Sequence, residues 1–308
     1  MEHLPVMFAE ALQQLAIKKD GVYLDCTFGR GGHSSGILNL LDSSGRLLAF
    51  DRDLDAINSD IAQSLLEDNR FKLKQCCFSE LENVVANDAL TGKIDGILID
   101  LGVSSPQLDN PERGFSFLRD GPLDMRMDGN SGVTAAQYLA SVDEKDLIKV
   151  LFEYGEERFA RRIAHAIIEK RAVAPITTTR ELAKLIEEAV PIRDKHKHPA
   201  TRSFQAIRIE INSELEELKA VLQQSARILK PGGRLVVISF HSLEDRIVKR
   251  FIRTESGAKY NPGKLPIKEI DITKGVFTKP GKPLKAGPQE IAQNTRARSA
   301  VMRVAEKI

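Results

Sequence analysis

A glycine-rich turn and a carboxylate follow two short apolar runs near the start of the chain. The turn is the segment Asp25-Cys-Thr-Phe-Gly-Arg-Gly-Gly-His33, and Asp51 ends the next apolar run, 22 positions after Gly29. Glycines between a strand and a helix let the backbone approach a ligand, and the helix N-terminus adds N–H donors. A carboxylate at the end of the second strand can accept both hydroxyls of an adenosine ribose. The two features predict an adenosine nucleoside site, which fits NAD and S-adenosylmethionine equally.

Two further features favour S-adenosylmethionine over NAD. The spacing Gly-x-Gly-Gly in the turn is shorter than the Gly-x-Gly-x-x-Gly that packs a dinucleotide pyrophosphate against its helix. The segment 228–238, Ile-Leu-Lys-Pro-Gly-Gly-Arg-Leu-Val-Val-Ile, resembles the turn into the fifth strand of class I methyltransferases. We therefore predict a methyltransferase. An NAD-linked oxidoreductase and a non-catalytic nucleotide-binding module are the alternatives, which cofactor retention and methyl transfer from labelled S-adenosylmethionine would separate.

Alternating strands and helices must position these residues. Apolar runs of strand length alternate with helical stretches in the first third of the chain, which is typical of βαβ units and a parallel sheet. We predict strands over 21–27, 45–51, 71–76, 94–100 and 234–240. Helices are expected over 33–41 and 54–66. The segments 272–278 and 300–305 are strand candidates that would complete the sheet, with 279–288 as an irregular connector between them.

Loop and helix patterns replace strands between residues 101 and 233. Residues 147–172 are helical in period, and Thr179 is expected to cap a second helix. A helix over 212–229 then leads back to the sheet. We predict a helical insertion over 108–200, interrupting a methyltransferase domain formed by 1–107 and 201–308.

Charge and composition constrain the partners. The formal net charge of +2 conceals an asymmetry, because residues 244–308 contain 15 Lys and Arg against 7 Asp and Glu, and the remainder carries a net charge of −6. A basic segment on an acidic body indicates a surface for a polyanion, although a solvated tail explains the charge equally well. We find no membrane-span pattern and no signal-peptide pattern, and the three cysteines form no disulfide framework, so we expect a cytoplasmic protein without membrane contact.

Longer motifs resemble one family, the bacterial ribosomal RNA small subunit methyltransferase H family (MraW). The motifs that carry the resemblance run from the first third of the chain to its last strand in the family's order: residues 27–34, TFGRGGHS; 50–53, FDRD; 100–108, DLGVSSPQL; 113–117, RGFSF; 123–127, LDMRM; 198–202, HPATR; 240–246, FHSLEDR; and 296–300, RARSA. The resemblance implies an α/β, class I methyltransferase (Rossmann-like) fold, with a mostly parallel seven-stranded sheet and a helical insertion subdomain. It implies S-adenosylmethionine as the cofactor and methylation of the exocyclic N4 amine of a cytidine in the decoding region of 16S ribosomal RNA. The small ribosomal subunit is the implied partner, and a homodimer is compatible with it.

The resemblance also assigns site residues. The matching positions for the cofactor are Gly31, Gly32, His33, Asp51, Phe78, Asp100 and Gln107. Phe78 would lie against the adenine, and Asp100 and Gln107 would close the methionine side. Taken alone, Phe78 fits core packing and His33 fits a polar residue at a helix start. Asp100 is the stronger signal, because open α/β sheets bind ligands at the carboxyl ends of their strands.

The sequence identifies fewer residues that would bind the base receiving the methyl group. Many amino-methyltransferases clamp the target base with an Asp/Asn-Pro-Pro-Tyr/Phe tetrad, whereas this chain has Asp100-Leu-Gly-Val103, which keeps only the carboxylate. Asp100 is therefore the candidate catalytic residue, although it could serve the cofactor instead, and another RNA or DNA base remains an alternative substrate. Phe115, Phe117 and Phe240 are candidates for stacking on the base, and each also fits a core position.

Two charged segments complete the sequence-based expectations. Arg158, Arg161 and Arg162 could contact RNA phosphates, although arginines on a helix face are also typical of a solvated surface. The segment 194–198, Asp-Lys-His-Lys-His, matches no standard metal-ligand spacing, so no metal is expected.

Overall fold

The chain contains a seven-stranded, mostly parallel β-sheet. The structure is a computed structural model that describes residues 5–192, 198–257, 275–278 and 281–308. The strands are β1 (Val22–Asp25), β2 (Arg46–Asp51), β3 (Phe71–Gln75), β4 (Ile94–Asp100), β5 (Leu229–Ser239), β6 (Leu284–Lys285) and β7 (Val301–Glu306). Their order is β3-β2-β1-β4-β5-β7-β6, and only β7 runs antiparallel to its neighbours. The predicted α/β, class I methyltransferase (Rossmann-like) sheet is confirmed.

The last part of the sheet differs from the sequence-based prediction. β6 lies at Leu284–Lys285, inside the segment predicted to be an irregular connector, where it pairs with β7. A two-residue strand has no periodicity of its own, so only its pairing partner reveals it. Of the strand predicted over 272–278, residues 272–274 lie outside the described residues, and Phe277 forms an isolated antiparallel bridge with Lys307.

Helices flank the sheet and fill the segment between β4 and β5. They are α1 (Phe8–Leu15), α2 (Gly32–Leu40), α3 (Leu54–Ile57), α4 (Asp60–Leu66), α5 (Leu81–Asn87), α6 (Ser105–Asp109), α7 (Ala135–Ser141), α8 (Glu144–Glu153), α9 (Ala160–Val173), α10 (Thr179–Ala189), α11 (Ala200–Asn212), α12 (Glu214–Ile228), α13 (Ser242–Glu255) and α14 (Pro288–Gln293). None of the helices in the described parts of the chain is long and apolar enough to cross a membrane.

Three helix predictions need correction. The helix predicted over 54–66 is two helices, because the hydroxyl of Ser59 accepts the Ala62 N–H and starts α4 separately. The helix predicted over 147–172 is likewise divided into α8 and α9, and Glu156 between them has a φ of 49°. The cap of α10 is Thr178 rather than Thr179, since the Thr178 hydroxyl accepts the Glu181 N–H.

The chain divides into two compact units. The first comprises Met1–Gly102 and Leu215–Ile308, and the second comprises Val103–Glu214. The second unit is longer than the insertion predicted over 108–200, because α11 contributes buried Phe204 and Ile207 to the hydrophobic core of this unit. The predicted domain bounds placed that helix in the methyltransferase domain.

Both faces of the sheet in the first unit are covered. Along β4, Ile97 and Ile99 belong to one apolar cluster, and Leu98 between them belongs to another. Alternate residues of a strand point to opposite faces, so a strand covered on both sides is apolar throughout. This burial explains the apolar run Ile97-Leu98-Ile99, and the polar residues of the strand, Asp95 and Asp100, lie near its two ends.

Candidate functional site

Three aspartates end three neighbouring parallel strands. Asp25, Asp51 and Asp100 are the last residues of β1, β2 and β4, and β1 lies between the other two strands. Parallel strands place their carboxyl ends at one edge of the sheet, where open α/β sheets bind ligands. The structure therefore brings two predicted site residues, Asp51 and Asp100, to the same edge, and adds Asp25.

The glycine turn lies at this edge and leads into α2. Gly31 is the N-cap of α2 and has a φ of 69°, a left-handed conformation that favours glycine. A Cβ atom on Gly31 would lie 2.9 Å from side-chain atoms of both Ile61 and Phe28, so a larger residue would require these side chains to shift. Gly32 is the first residue of α2. The turn thus presents backbone N–H groups at a helix N-terminus, as predicted for a nucleoside site.

Asp51 joins the glycine turn to the end of β2. Its Oδ2 accepts the Gly29 N–H at 2.7 Å, and its Oδ1 accepts the Asp53 N–H at 2.9 Å. Burial raises the pKa of Asp51 to about 6, with the nearby carboxylates of Asp53 and Asp25 adding to the shift. Each carboxylate oxygen retains a second lone pair. Asp51 can therefore hold the turn and accept ligand hydroxyls at the same time.

Asp100 and His33 each present a buried polar atom without a hydrogen-bond partner among the described residues. The Asp100 N–H donates to Thr27 Oγ1 at 2.7 Å, but its Oδ1 has no partner, and neither has Nε2 of His33. Asp100 Oδ2 and His33 Nδ1 are 3.8 Å apart, beyond hydrogen-bond distance. Burial raises the pKa of Asp100, and the charges of Asp25 and Glu244 add to it. Burial lowers the pKa of His33 to about 4 against the opposing effect of a hydrogen bond with the Val6 backbone, so its ring is neutral at pH 7.

Unpartnered buried polar atoms are costly unless a ligand or water satisfies them. His33 lies in the first turn of α2, where the glycine turn ends, and Asp100 ends β4 at the same edge of the sheet. A ligand with donor and acceptor groups at this edge would satisfy both Asp100 Oδ1 and His33 Nε2. The amino, carboxylate and ribose groups of S-adenosylmethionine supply such donors and acceptors. The residues present therefore fit the predicted cofactor.

Asp25 is a site residue that the sequence analysis did not single out. It is fully buried, and it accepts the Thr27 N–H at 3.1 Å and the Ser34 hydroxyl at 2.7 Å. Burial raises the pKa of Asp25. These bonds connect β1 to both ends of the glycine turn. The signal that could have identified it is its position, because it ends a strand in the same way as Asp51 and Asp100.

Phe78 and Gln107 lie in different units. Phe78 opens a single helical turn after β3 and is half-buried against an apolar cluster of the first unit. Gln107 belongs to the second unit, in α6, where its Oε1 accepts the Ser104 N–H at 2.9 Å. The reciprocal bond from the Gln107 N–H to Ser104 Oγ completes a capping box. A helix-capping role thus accounts for this contact of Gln107, and its role towards the cofactor stays a prediction.

The three phenylalanines predicted to stack on a base have different environments. Phe115 is 6% exposed and belongs to the core of the second unit. The ring of Phe117 packs against His198 at 4.6 Å and Phe204 at 4.9 Å between centroids. Phe240 is half-buried and directly follows β5 in the first unit. Only Phe240 among them is in the unit that carries the three strand-end aspartates.

Metal ligation has no support in the described part of the chain. No group of three or more His, Cys, Asp or Glu side chains there could hold a metal ion. Residues 194–197 of the segment considered for metal binding lie outside the described residues.

Comparisons with known proteins agree with the motifs. A family model described as the MraW methylase family matches residues 1–308. A protein of Pseudoalteromonas atlantica named ribosomal RNA small subunit methyltransferase H is 56% identical over 307 residues, which cover 99% of this chain and 98% of that protein. Proteins of the same name from Alteromonas mediterranea and Methylococcus capsulatus are 54% and 56% identical, covering 100% and 98% of this chain and 98% and 99% of their own lengths. The resemblance seen in the motifs is confirmed, and the chain belongs to the MraW methylase family.

Proposed function

We propose that this protein transfers a methyl group from S-adenosylmethionine to the exocyclic N4 amine of a cytidine in the decoding region of 16S ribosomal RNA. The observation that carries the proposal is the unpartnered Oδ1 of Asp100, at the end of β4 and at the same sheet edge as the glycine turn. The relatives named as ribosomal RNA small subunit methyltransferases support the choice of RNA. Such a substrate would place the protein in the cytoplasm, acting on the small ribosomal subunit, and a homodimer is compatible with this function.

The first unit supplies most of the proposed cofactor contacts. The backbone of Gly31 and Gly32 would approach the cofactor, Asp51 would accept the ribose hydroxyls and Phe78 would lie against the adenine. His33 would contact the methionine side through its unpartnered Nε2, and Asp100 through one lone pair of its unpartnered Oδ1, whose second lone pair is left for the target amine. Gln107 joins this set on the strength of the family motif alone.

The chemistry requires alignment more than activation. S-adenosylmethionine supplies a sulfonium-activated methyl group, so the protein must hold the amine in line with it. A cytosine amine is a poor nucleophile because its lone pair is delocalised into the ring. An acceptor beside the amine favours a pyramidal nitrogen and can take its proton. Asp100 is the proposed catalytic residue, because burial raises its pKa and a carboxylate with a raised pKa is a stronger base.

RNA recognition is proposed for the second unit. Arg158 lies just before α9, and Arg161 and Arg162 lie in α9; all three are exposed, whereas Ile163 and Ile167 of α9 are buried in the core. The arginines therefore lie on the outer face, where phosphate contacts add affinity without sequence preference. The target amine must also be accessible, so the base should lie in an unstacked region or be extruded.

Nucleoside analysis of ribosomal RNA tests the proposed function in cells. We expect 16S ribosomal RNA from cells lacking the gene to lose one N4-methylated cytidine that reappears when the gene is restored. Mass spectrometry of digested RNA measures it. An unchanged set of modified cytidines would refute the assignment of the substrate atom.

We predict that affinity for S-adenosylmethionine falls as the pH drops through about 6. The ribose hydroxyls donate to the charged form of Asp51, whose pKa of about 6 in the free protein would be lowered by binding. Affinity should be constant above this pKa and fall roughly tenfold for each pH unit below it. Calorimetry between pH 5 and 8 measures the profile, and Asp51→Asn should bind weakly without an inflection near pH 6. A flat profile for the unaltered protein would contradict the role of Asp51.

A second prediction concerns the basic face of α13. Lys249, Arg250 and Arg253 are exposed. Replacing all three with Gln should weaken RNA binding and make it less dependent on salt. Each phosphate contact with a single strand contributes about 0.7 to the slope of log K against log salt concentration, so the slope should fall by up to roughly 2. Affinity for S-adenosylmethionine should not change. Filter binding at several salt concentrations measures the slope.

The matched control removes charge from the opposite edge of the sheet. Lys19 and Lys93 are exposed and precede β1 and β4, so they lie at the amino ends of the strands. Replacing both with Gln should leave the salt slope unchanged. An unchanged slope in the α13 variant as well would show that α13 is a solvated helix, and would leave Arg158, Arg161 and Arg162 as the RNA surface.

A further inference from the structure

Phe240 lies at the sheet edge that carries the proposed catalytic residue. β5 pairs in parallel with β4, and Asp100 is opposite Ile238 in the register. Phe240 follows two residues after Ile238, just past the end of β5. Phe240 and Asp100 therefore stand at the carboxyl ends of adjacent strands in one unit.

The Phe240 ring lies beside the backbone that follows Asp100. A Cβ atom built on Gly102 would be 3.6 Å from Cδ2 of Phe240, which is ordinary van der Waals contact. In the amino-methyltransferase tetrad, the aromatic that stacks on the base also follows the strand-end carboxylate. This chain has no aromatic in Asp100-Leu-Gly-Val103, and the Phe240 ring occupies space next to the glycine of that stretch.

The exposure of Phe240 fits a platform. Phe240 packs against the apolar cluster that contains Val236 and Ile238, and the residue is half-buried. A ring supported by the core and partly open to solvent can accept a flat ligand. Phe251 on α13, by contrast, is 8% exposed and packs in the core against Phe277.

Glu244 fixes the backbone of Phe240. Its Oε2 accepts the Phe240 N–H at 2.8 Å and the His241 N–H at 3.2 Å, and Glu244 is itself 2% exposed. The next residue, Asp245, forms a forked pair with Arg303 of β7 at 2.6 and 3.0 Å. The turn that carries Phe240 is thus tied both to its own helix and to the sheet.

We propose that Phe240 is the platform on which the target base stacks during methyl transfer, and that Glu244 is the positioning residue that holds it beside Asp100. This inference rests on the proposed function, because that function supplies a nucleobase as the second substrate. A nucleobase has an apolar, polarisable face that stacks on an aromatic side chain. The amine of a base stacked there would lie at the edge where Asp100 presents its unpartnered Oδ1.

Three variants of the full-length protein test the platform. Stacking on an aromatic contributes about 1–3 kcal/mol per base, so Phe240→Leu should lower kcat/KM for RNA methylation about fivefold to 150-fold. Phe240→Tyr should restore most of that activity, because its ring also stacks. Neither change should alter the Kd for S-adenosylmethionine. Phe251→Leu is the matched control, and it should lower the melting temperature while leaving kcat/KM unchanged well below that temperature.

A double-mutant cycle tests the positioning role of Glu244. Glu244→Gln should lower kcat/KM for RNA without altering the Kd for S-adenosylmethionine. If Glu244 acts through Phe240, the variant carrying both Phe240→Leu and Glu244→Gln should be no less active than Phe240→Leu alone. A merely structural role for Glu244, or an effect of its charge on Asp100, would make the two losses multiply and would overturn the positioning role.

The outcomes separate this inference from the function on which it rests. Unchanged RNA methylation by Phe240→Leu, accompanied by a lower melting temperature, would make Phe240 a core residue and overturn the inference alone. Equal activity of the Leu and Tyr variants would also overturn it, since volume rather than stacking would then matter. Absence of methyl transfer to ribosomal RNA by the unaltered protein would overturn the proposed function and this inference together.

Discussion

Replacing Asp51 with alanine should abolish measurable S-adenosylmethionine binding while leaving the protein folded. Asp51 is proposed to accept both ribose hydroxyls, and two charge-assisted hydrogen bonds contribute about 1.5–3 kcal/mol each, so their loss together should weaken binding more than a hundredfold. The variant also loses the bond from the Gly29 N–H, which holds the glycine turn against β2. Isothermal titration calorimetry measures the affinity, and circular dichroism verifies the fold.

Asp60→Ala is the matched control for this loss. Asp60 is an exposed carboxylate at the start of α4 in the same unit, so its removal changes the charge equally without touching the sheet edge. Its affinity for S-adenosylmethionine should equal that of the unaltered protein. Unaltered affinity in a folded Asp51→Ala variant would show that another group holds the ribose.

Removing the second unit should separate cofactor binding from RNA methylation. A chain in which a flexible linker joins Gly102 directly to Leu215 should still bind S-adenosylmethionine and should lose methyl transfer to RNA. The physical reason is that the apolar clusters of the first unit contain no residue from Val103–Glu214. Deleting only the insertion predicted over 108–200 would leave buried residues of α11, such as Phe204 and Ile207, without their core. Calorimetry and methyl transfer from labelled cofactor measure the two activities.

Gln107→Ala in the full-length chain is the control for the deletion, because the deletion also removes Gln107. The contact proposed between Gln107 and the cofactor is one hydrogen bond of about 0.5–1.5 kcal/mol, so its loss should weaken cofactor binding about twofold to twelvefold in both proteins. Only the deletion should lose RNA methylation completely. RNA methylation by the shortened chain would show that the second unit does not recognise RNA, and a complete loss of cofactor binding would show that the first unit is not sufficient for it.

Periodicity predicted the sheet well because its strands are buried on both faces. β4 is apolar from Ile94 to Ile99 apart from Asp95 and Gly96, and its bounds agree with the prediction. Periodicity failed where local backbone geometry ends an element. Gly155 and Glu156 separate α8 from α9, and a Cβ on Gly155 would lie 2.6 Å from the Leu151 carbonyl oxygen, yet the apolar spacing continues across the break.

The sequence predicts the ends of the strands, and it therefore predicts the site residues that lie at those ends. Asp51 and Asp100 follow apolar runs, so the sequence places them at the binding edge, but their roles towards the cofactor stay predictions. Glu244 could not be found in this way, because its contact with Phe240 depends on the turn after β5 and its effect on Asp100 depends on the pairing of β4 with β5. Gln107 was found through a family motif, but the structure shows that it also caps helix α6, so the motif alone does not define its role.

Methyl transfer by the purified protein tests the proposed reaction on RNA. Small-subunit ribosomal RNA, naked or in assembled subunits, is incubated with the protein and methyl-labelled S-adenosylmethionine, and the digested nucleosides are analysed by mass spectrometry. We expect the label on N4 of a single cytidine in the 16S RNA, and none when Asp51→Ala replaces the unaltered protein. Label on a ribose, on a ring carbon or on another base, or no label with either substrate, would contradict the account.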